Sequence, residues 1–352
     1  MSNPVNISEQ HYYYLDILNI VATFAVIWLH TSEYAFHFMP NDPNWYLGVF
    51  IQVIFIWAVP IFFMISGANL LNYRERYDTK TFLKKRGARV LVPFLVWSII
   101  WYAWNHFILG IPDWSLSGLI NGIEQDHIQP VFWFFYYIIP VYIAMPFLSI
   151  LATKENKKVV EYIILLYIIG TGIINYGYSL LHRPFSQLIS NIPLALSMGM
   201  GIFFVGWYLH NFKQTERQRH WVYGLSFLSV GFMFLLTVFL SISHGETARE
   251  VYNIFSIGGF ILPLGIWLFF QHRFPKTWQP NPKTGQWLKR ISGASLGVYV
   301  VHEFIIQIVT HFLHIKPDSL FHLLGLPLIV WLICLIIILI LKRVPVLNKI
   351  IP

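Results

Sequence analysis

Two histidines stand out because each lies among polar residues inside a long apolar stretch. His30 is near the end of "YLDILNIVATFAVIWLHTSEY" at 14–34, and His302 is in "ISGASLGVYVVHEFII" at 291–306. An imidazole exchanges a proton near neutral pH, so a buried histidine suits general acid-base or nucleophilic catalysis. The alternative is that these polar residues only form hydrogen bonds between helices.

The polar residues of the first stretch fall on one side of the helix that it is long enough to form. With 100° per residue, Asp16, Asn19, Thr23 and His30 lie within about 60° of one another. Glu33 follows at about 100° from Asp16. Ionisable side chains that share a face inside a membrane usually line a cavity or a pathway. We therefore predict that Asp16, Asn19 and Thr23 contact a substrate and that His30 and Glu33 are catalytic.

The second stretch carries a similar stripe. Ser292, Tyr299 and His302 lie within about 80° of one another, whereas Glu303 points about 100° away from His302. With a rise of about 1.5 Å per residue, His30 lies about 21 Å from the start of its stripe, and His302 about 15 Å from the start of its own. At these depths the two histidines can meet in one buried site in the outer half of a membrane.

A pair of arginines is the third feature with chemical potential. Arg86 and Arg89 are three residues apart in "TFLKKRGARVLVPFLVW" at 81–97, so they share a helix face. Planar guanidinium groups at a membrane rim suit the binding of phosphate. The alternative is that they only anchor the chain at the cytoplasmic surface, which is the interpretation we favour for Lys84 and Lys85.

The elements that position these residues follow from composition. The 352 residues are 56% hydrophobic and only 11% charged, whereas a soluble domain has about 25% charged residues. The sequence predicts an all-α, polytopic membrane protein with one membrane-embedded domain over residues 1–352. Ten apolar blocks are long enough to span the bilayer: 14–33, 46–71, 88–110, 131–152, 159–180, 192–211, 221–242, 252–271, 293–313 and 321–341.

The basic residues orient these spans. Twenty-one of the 24 Lys and Arg residues fall in alternate loops and the C-terminal tail, and the other loops hold only Arg183, Arg249 and Lys316. Because basic loops stay in the cytoplasm, both termini are predicted to be cytoplasmic. The net charge of +8 is explained by this topology, so we expect no nucleic-acid partner.

Metal binding is not favoured by the sequence. His311, His314 and Asp318 are the best candidate ligands by spacing, but they lie at a predicted membrane boundary. The single cysteine, Cys334, cannot form an intrachain disulfide. We therefore predict no metal cofactor.

Six segments together resemble the acyltransferase-3 family of ten-span membrane acyltransferases, and most closely its enterobacterial common antigen O-acetyltransferase branch. The resemblance covers almost the whole chain. The segments are "LDILNIVATFAVIWLH", "VPIFFMISGANLL", "FLKKRGARVLVPFLVW", "FWFFYYIIPVYIAMPFL", "GIFFVGWYL" and "ASLGVYVVHEFII". Each segment is weak alone, but their order and spacing are specific.

The resemblance implies transfer of an acyl group, commonly acetyl, from cytosolic acyl-CoA to a hydroxyl of a cell-envelope glycan or lipid-linked sugar. It implies O-acetylation or a related polysaccharide modification by a multi-pass protein of the bacterial cytoplasmic membrane, surrounded by membrane lipid. The family's histidine in span one matches His30, its Arg-x-x-Arg motif matches Arg86 and Arg89, and its histidine in a late span matches His302.

Two positions depart from the family pattern. The family usually has an arginine eleven residues before the histidine of span one, where this chain has Asn19. Relatives often have a histidine two residues before Trp133, where this chain has Val131, with His127 one helical turn away. Asn19 carries no fixed positive charge, so either the substrate differs or the member is less active.

The predicted mechanism combines the stripes with the resemblance. The two arginines hold the phosphates of acetyl-CoA, and His30, oriented by Glu33, takes the proton of the acceptor hydroxyl. His302 and Tyr299 position the acyl carbonyl or carry the second proton. A covalent acyl-histidine relay is an open alternative. The alternative function is that of a transporter or flippase for a glycan or its precursor, in which the polar stripes line the permeation path.

Overall fold

The computed structural model describes residues 11–111, 114–184, 198–254, 256–345 and 347–351. All regular structure in these ranges is helical, which confirms the predicted fold class. The α-helices are α1 (Tyr13–Thr31), α2 (Pro43–Phe55), α3 (Ala58–Leu70), α4 (Thr79–Arg86), α5 (Val92–Phe107), α6 (Leu116–Glu124), α7 (Trp133–Leu151), α8 (Lys157–Tyr167), α9 (Tyr176–Leu180), α10 (Met198–Asn211), α11 (Glu216–His244), α12 (Ile257–Arg273), α13 (Pro282–Phe312) and α14 (Leu326–Leu341).

Eight helical segments of the described chain are long and apolar enough to cross a membrane. Several join two helices, such as the 33-residue segment Pro43–Glu75, which contains α2 and α3. The two other predicted spans correspond to α10, whose predicted start at 192 lies outside the described residues, and to α12, which has 17 residues. The protein is thus a polytopic membrane protein, while the count of ten spans and the cytoplasmic termini stay predictions.

Helix α13 is longer than the predicted span 293–313 and begins about three turns earlier. Its N-cap is Asn281, whose side chain accepts a hydrogen bond from the backbone N–H of Thr284, and Pro282 occupies the first turn. Both features are typical of a helix start. The extension carries Lys289 on the same helix as Tyr299 and His302.

Helix α1 lies in the interior of the bundle. It packs against α13, α3, α14, α2 and α12. Leu18, Ala22 and Ala25 are completely buried on it. A helix enclosed on so many sides contacts protein more than lipid, so its polar side chains need not face hydrocarbon.

Helices α3 and α10 make the most extensive helix–helix contact, and two glycines allow it. A Cβ atom on Gly67 would lie 2.0 Å from the carbonyl oxygen of Phe203, and one on Gly206 would lie 2.0 Å from that of Met64. Only glycine permits so close an approach of two backbones. This crossing fixes α3, which forms one wall of the site.

Candidate active site

One cavity of about 670 Å³ runs between the helices and reaches both groups of predicted site residues. Three helices line most of it, and each presents residues spaced mainly three or four apart. The stripe of α3 consists of Val59, Phe62, Ile65, Ser66, Asn69 and Leu70; that of α13 consists of Lys289, Ser292, Gly293, Ser295, Leu296 and Tyr299. From α1 the cavity is lined by Leu15, Asp16, Asn19, Val26, Leu29 and His30. The volume is in the usual range for small-molecule sites, about 300–1,000 Å³.

Four basic side chains line the end of the cavity that is predicted to be cytoplasmic, namely Arg76, Arg86, Arg89 and Lys289. Within the described ranges, none of them forms a salt bridge with a carboxylate. Arg76 donates a hydrogen bond to the carbonyl of Asn69, and Nε of Arg86 is buried without a partner among described residues. Guanidinium and ammonium groups gathered without carboxylate partners suit a polyanion such as a chain of phosphates.

A fifth cation lies behind this end. Lys342 follows α14 and donates a hydrogen bond to the carbonyl of Gly293, which lines the cavity. Burial, together with the nearby positive charge of Arg89, lowers the pKa of Lys342 to about 8. Its charge, and with it the positive potential at this end, therefore changes in the mildly alkaline range.

Arg86 precedes a break in regular α-helix, and Arg89 lies within it. Arg86 is the last residue of α4, and Gly87–Leu91 form a π-helical turn before α5. Residues three apart share a face only in an uninterrupted α-helix, which is not what Arg86 and Arg89 occupy. Both arginines nevertheless line the cavity. Turns of this kind occur often at functional sites because they redirect side chains within a helix.

At the opposite end His30 and Glu33 line the cavity, and next to His30 lie His302 and Glu303, which are not among the lining residues. Glu33 lies just after α1 in a 3₁₀ turn, and its Oε1 is 2.8 Å from Nδ1 of His30. The ring centroids of His30 and His302 are 4.9 Å apart. Donor atoms of His30, His302 and Glu303 lie within 4.8 Å of one another, a set that could also hold a cation. Helical periodicity directs Glu303 away from His302, yet its carboxylate lies within 4.8 Å of donor atoms of both histidines, where α1 packs against α13.

Hydrogen bonding fixes the proton positions on both rings. The backbone carbonyl of Tyr299 can only accept, so Nδ1 of His302 must carry a proton. Nδ1 of His30 likewise donates to the carboxylate of Glu33. Nε2 is therefore the reactive nitrogen of each ring. That of His302 is buried and has no hydrogen-bond partner among the described residues.

The predicted substrate-binding residues of α1 divide into two groups. Asp16 and Asn19 line the cavity, whereas Thr23 is buried and donates its hydroxyl to the carbonyl of Asn19. Asp16 pairs with His11. The side-chain amide of Asn19 donates to the carbonyl oxygen and the hydroxyl of Ser292, at 2.8 and 3.1 Å. Asn19 thus joins α1 to α13 beside the cationic end.

Tyr299 lines the cavity, but its hydroxyl is already engaged. It donates to the carbonyl of Val131, the position where relatives often have a histidine. His127 is exposed and lies in the non-helical segment before Pro130, so it is not one helical turn from Val131. The backbone of Val131 therefore contacts the site, and His127 is not among the residues that line the cavity.

Three functional candidates were missed by the sequence patterns. Arg76 lies in a short connection after α3 that looked like a topology signal, and Lys289 lay outside the predicted span. Glu303 is adjacent to His302 but faces a different direction on an isolated helix. A signal was present only for Lys289, which lies three residues before Ser292, on the same stripe of α13.

The sequence matches the family model described as "Acyltransferase domain" over residues 12–341. The match includes every residue of the cavity except His11. No curated protein and no solved structure matches the chain.

Proposed function

Because the chain belongs to the acyltransferase-3 family and is a membrane acyltransferase, we propose that it moves an acetyl group from cytosolic acetyl-CoA to a hydroxyl outside. The acceptor is an envelope glycan or a lipid-linked sugar, and the membrane is the bacterial cytoplasmic membrane. The observation that carries the proposal is the continuous cavity from the basic residues to the pair of His30 and Glu33.

The basic end supports a donor that carries several phosphates. Arg86 and Arg89 hold the phosphates of CoA, and Arg76 and Lys289 lie at the same end to share that negative charge. Charge-assisted hydrogen bonds of this kind are about twice as strong as neutral ones. The nucleotide therefore stays at the cytoplasmic mouth.

The walls between the two ends support a thin, mostly apolar arm. Between the charged ends, the α3 wall presents Val59, Phe62 and Ile65, and α7 presents Phe134 and Ile138. The pantetheine arm of CoA fits such a passage, and its thioester is brought toward the histidines. Apolar walls with few polar groups are typical of sites that bury an extended ligand.

His30 is the general base in this proposal. The carboxylate of Glu33 holds Nδ1–H, so Nε2 faces the reaction and takes the proton as the acceptor oxygen attacks the thioester carbon. The C–S bond breaks when the tetrahedral intermediate collapses, and the His30 imidazolium returns the proton to the CoA thiolate. The Glu33 side chain is 51% exposed, which suits entry of the acceptor from that side.

His302 supplies a second unprotonated Nε2, which can hold the acceptor's proton on its way from His30 to the CoA thiolate. Its Nε2 is buried and has no hydrogen-bond partner in the described chain, and its ring lies next to that of His30. Glu303 supplies negative charge next to the His30 imidazolium that forms during the reaction. Direct transfer needs no covalent intermediate. A relay through an acyl-His30 intermediate uses the same residues. It differs because labelled acetyl-CoA would then label the protein itself before any acceptor is added.

The test uses proteoliposomes that contain acetyl-labelled acetyl-CoA inside and a candidate glycan acceptor outside. The proposal expects label on the external acceptor, formed at the rate at which internal CoA is released, and no label with a His30→Ala protein. A flippase would move acceptor without releasing CoA. Equal CoA release with and without acceptor would also contradict the proposed transfer.

A further inference from the structure

A second cluster of metal-ligating side chains lies outside the set of residues that line the cavity and takes no part in the proposed reaction. It consists of His182, His244 and Glu250. Each offers a donor atom, and these three atoms lie within 4.8 Å of one another. We infer that this cluster is a binding site for a divalent transition-metal ion of the Zn²⁺ type.

The donor set fits such an ion. Two imidazole nitrogens and one carboxylate oxygen are ligands that Zn²⁺ accepts, and a water completes tetrahedral coordination. The rings of His182 and His244 are 5.6 Å apart between centroids, and Nε2 of His182 is 3.7 Å from Oε1 of Glu250. The separation between His182 and Glu250 exceeds hydrogen-bond length but allows an ion pair when the imidazole is protonated, so a metal ion and that proton compete for the same donor atoms.

The carboxylate of Glu250 is the second observation that favours a bound cation. Oε1 of Glu250 is buried and has no hydrogen-bond partner among the described residues. Leaving a buried carboxylate oxygen unbonded is costly. Its neighbours in the chain do not relieve this, because the Arg249 guanidinium stacks on Phe36 at 3.8 Å from the ring centroid. A cation bound between Glu250 and the histidines satisfies it.

The backbone electrostatics favour a cation at the same place. Helix α9 ends at Leu180, two residues before His182, and His244 is the last residue of α11. Each helix therefore directs its C-terminal end, which carries partial negative charge, toward the cluster. The long helix α11, with 29 residues, ends cleanly because Gly245 adopts φ 74°.

The loop that carries Glu250 is already fixed on both sides. The backbone N–H of Ala248 donates to Oγ of Ser241 at 2.9 Å, and the hydroxyl of Tyr176 donates to the carbonyl of Val251 at 3.2 Å. Both Ala248 and Val251 are buried. Ligands on a fixed framework lose little conformational entropy when the ion binds.

The loop that carries Glu250 lies next to the catalytic cavity, which indicates a structural role for the metal ion. Ile254, a few residues after Glu250, lines the catalytic cavity, and so does Phe36, on which Arg249 stacks. Both Arg183 and Arg249 belong to the loops that the charge distribution predicts to be external. The ion therefore fastens the end of α9 to the loop that borders the outer part of the cavity.

The test is stoichiometric binding of Zn²⁺ to the full chain in lipid nanodiscs, after tag removal and treatment with chelator. One Zn²⁺ per chain is expected by elemental analysis, with affinity from competition against a chromogenic chelator. His182→Asn, His244→Ala and Glu250→Gln should each weaken binding at least tenfold. Asparagine is chosen at 182 because that residue has φ 50°, a conformation that asparagine tolerates.

Two matched variants decide the location of the ion. His311→Ala/His314→Asn removes another neighbouring histidine pair, with rings 6.5 Å apart, and should leave Zn²⁺ binding unchanged; asparagine is used at 314 because that residue also has φ 50°. His30→Ala/His302→Ala removes the histidines of the catalytic cluster and should also leave it unchanged. Loss of Zn²⁺ in either double variant, or retention in His244→Ala, overturns the assignment, as does the absence of stoichiometric Zn²⁺ in the unaltered protein.

A second measurement distinguishes the loss of the metal site from misfolding of a variant. Zn²⁺ should raise the thermal unfolding temperature of the unaltered protein and of both double variants, because a ligand that binds only the folded state stabilises it. It should not raise that of Glu250→Gln, which keeps the shape of the side chain. An equal rise in Glu250→Gln contradicts the site.

Discussion

The imidazole rings of His30 and His302, 272 positions apart in the chain, lie with their centroids 4.9 Å apart and their planes inclined by 49°. Each ring has its Nδ1 proton engaged, one by Glu33 and the other by the carbonyl of Tyr299. Both Nε2 atoms are thus left for chemistry. A hydrogen-bond donor between the two Nε2 atoms, such as the hydroxyl of the acyl acceptor, can be bound without rearrangement of the site.

The first prediction follows from this pair. His30→Ala should lower the rate of acyl transfer by roughly 10²–10⁴-fold, as expected for loss of a general base. The double variant with His302→Ala should be hardly slower than the poorer single variant, because groups that act as a unit are not additive. Rates are measured with labelled acetyl-CoA and the acceptor. Near-normal turnover by His30→Ala would show that the cluster is structural.

The second prediction concerns the basic end. Arg86→Ala and Arg89→Ala should each weaken CoA binding by roughly 1.5–3 kcal/mol, which is at least about tenfold, because each removes charge-assisted hydrogen bonds to phosphate. Lys84→Ala is the control: its side chain is exposed and does not line the cavity, so affinity should stay the same. Calorimetry with CoA measures all three. Unchanged affinity in both arginine variants would make these residues anchors only.

The third prediction is a pH dependence. Since burial and Arg89 lower the pKa of Lys342 to about 8, its positive charge is lost between pH 7 and 9. CoA affinity should fall over that interval, and Lys342→Arg should remove the fall because arginine stays charged. Unfolding does not explain such a fall. The pKa of Lys342 is about 8 in the folded chain and 10.5 in the unfolded chain, so between these values the unfolded chain binds more protons at this group. The free energy of unfolding therefore rises with pH over this range. An identical pH profile in Lys342→Arg would rule out this lysine as the cause.

The fourth prediction tests the helix crossing. Gly67→Ala and Gly206→Ala should each destabilise the protein by about 1–3 kcal/mol, because each methyl group would lie against a backbone carbonyl of the opposite helix. Gly231→Ala on α11 is the matched control, since nothing lies within 4 Å of its Cβ position. It should be neutral or slightly stabilising. Thermal unfolding in detergent compares them; equal stability of all three variants would contradict the tight crossing.

The fifth prediction addresses the departure from the family at Asn19. Asn19→Arg should lower transfer to the native acceptor, because it removes two hydrogen bonds to Ser292 and fills part of the cavity. CoA binding measured in parallel separates a donor effect from an acceptor effect. An increase in activity would mean instead that Asn19 is a weakened form of the family site.

The sequence alone determined the class of molecule and the main candidates. Low charge and long apolar blocks leave a helical membrane protein as the stable solution, because lipid cannot hydrogen-bond an exposed backbone. Helical periodicity placed Asp16, Asn19 and His30 on one face, and the structure brings all three to the cavity wall. These features are local, so they can be predicted from one segment at a time.

Only the tertiary structure decided which faces meet. Periodicity gives the direction of a side chain relative to its own helix, and it placed Thr23 with the stripe and Glu303 away from His302. Packing of α1 against α13 leaves Thr23 bonded to its own helix and brings Glu303 to His30. The cluster of His182, His244 and Glu250 likewise has no sequence signal, because its members become neighbours only where two helix ends and a loop converge.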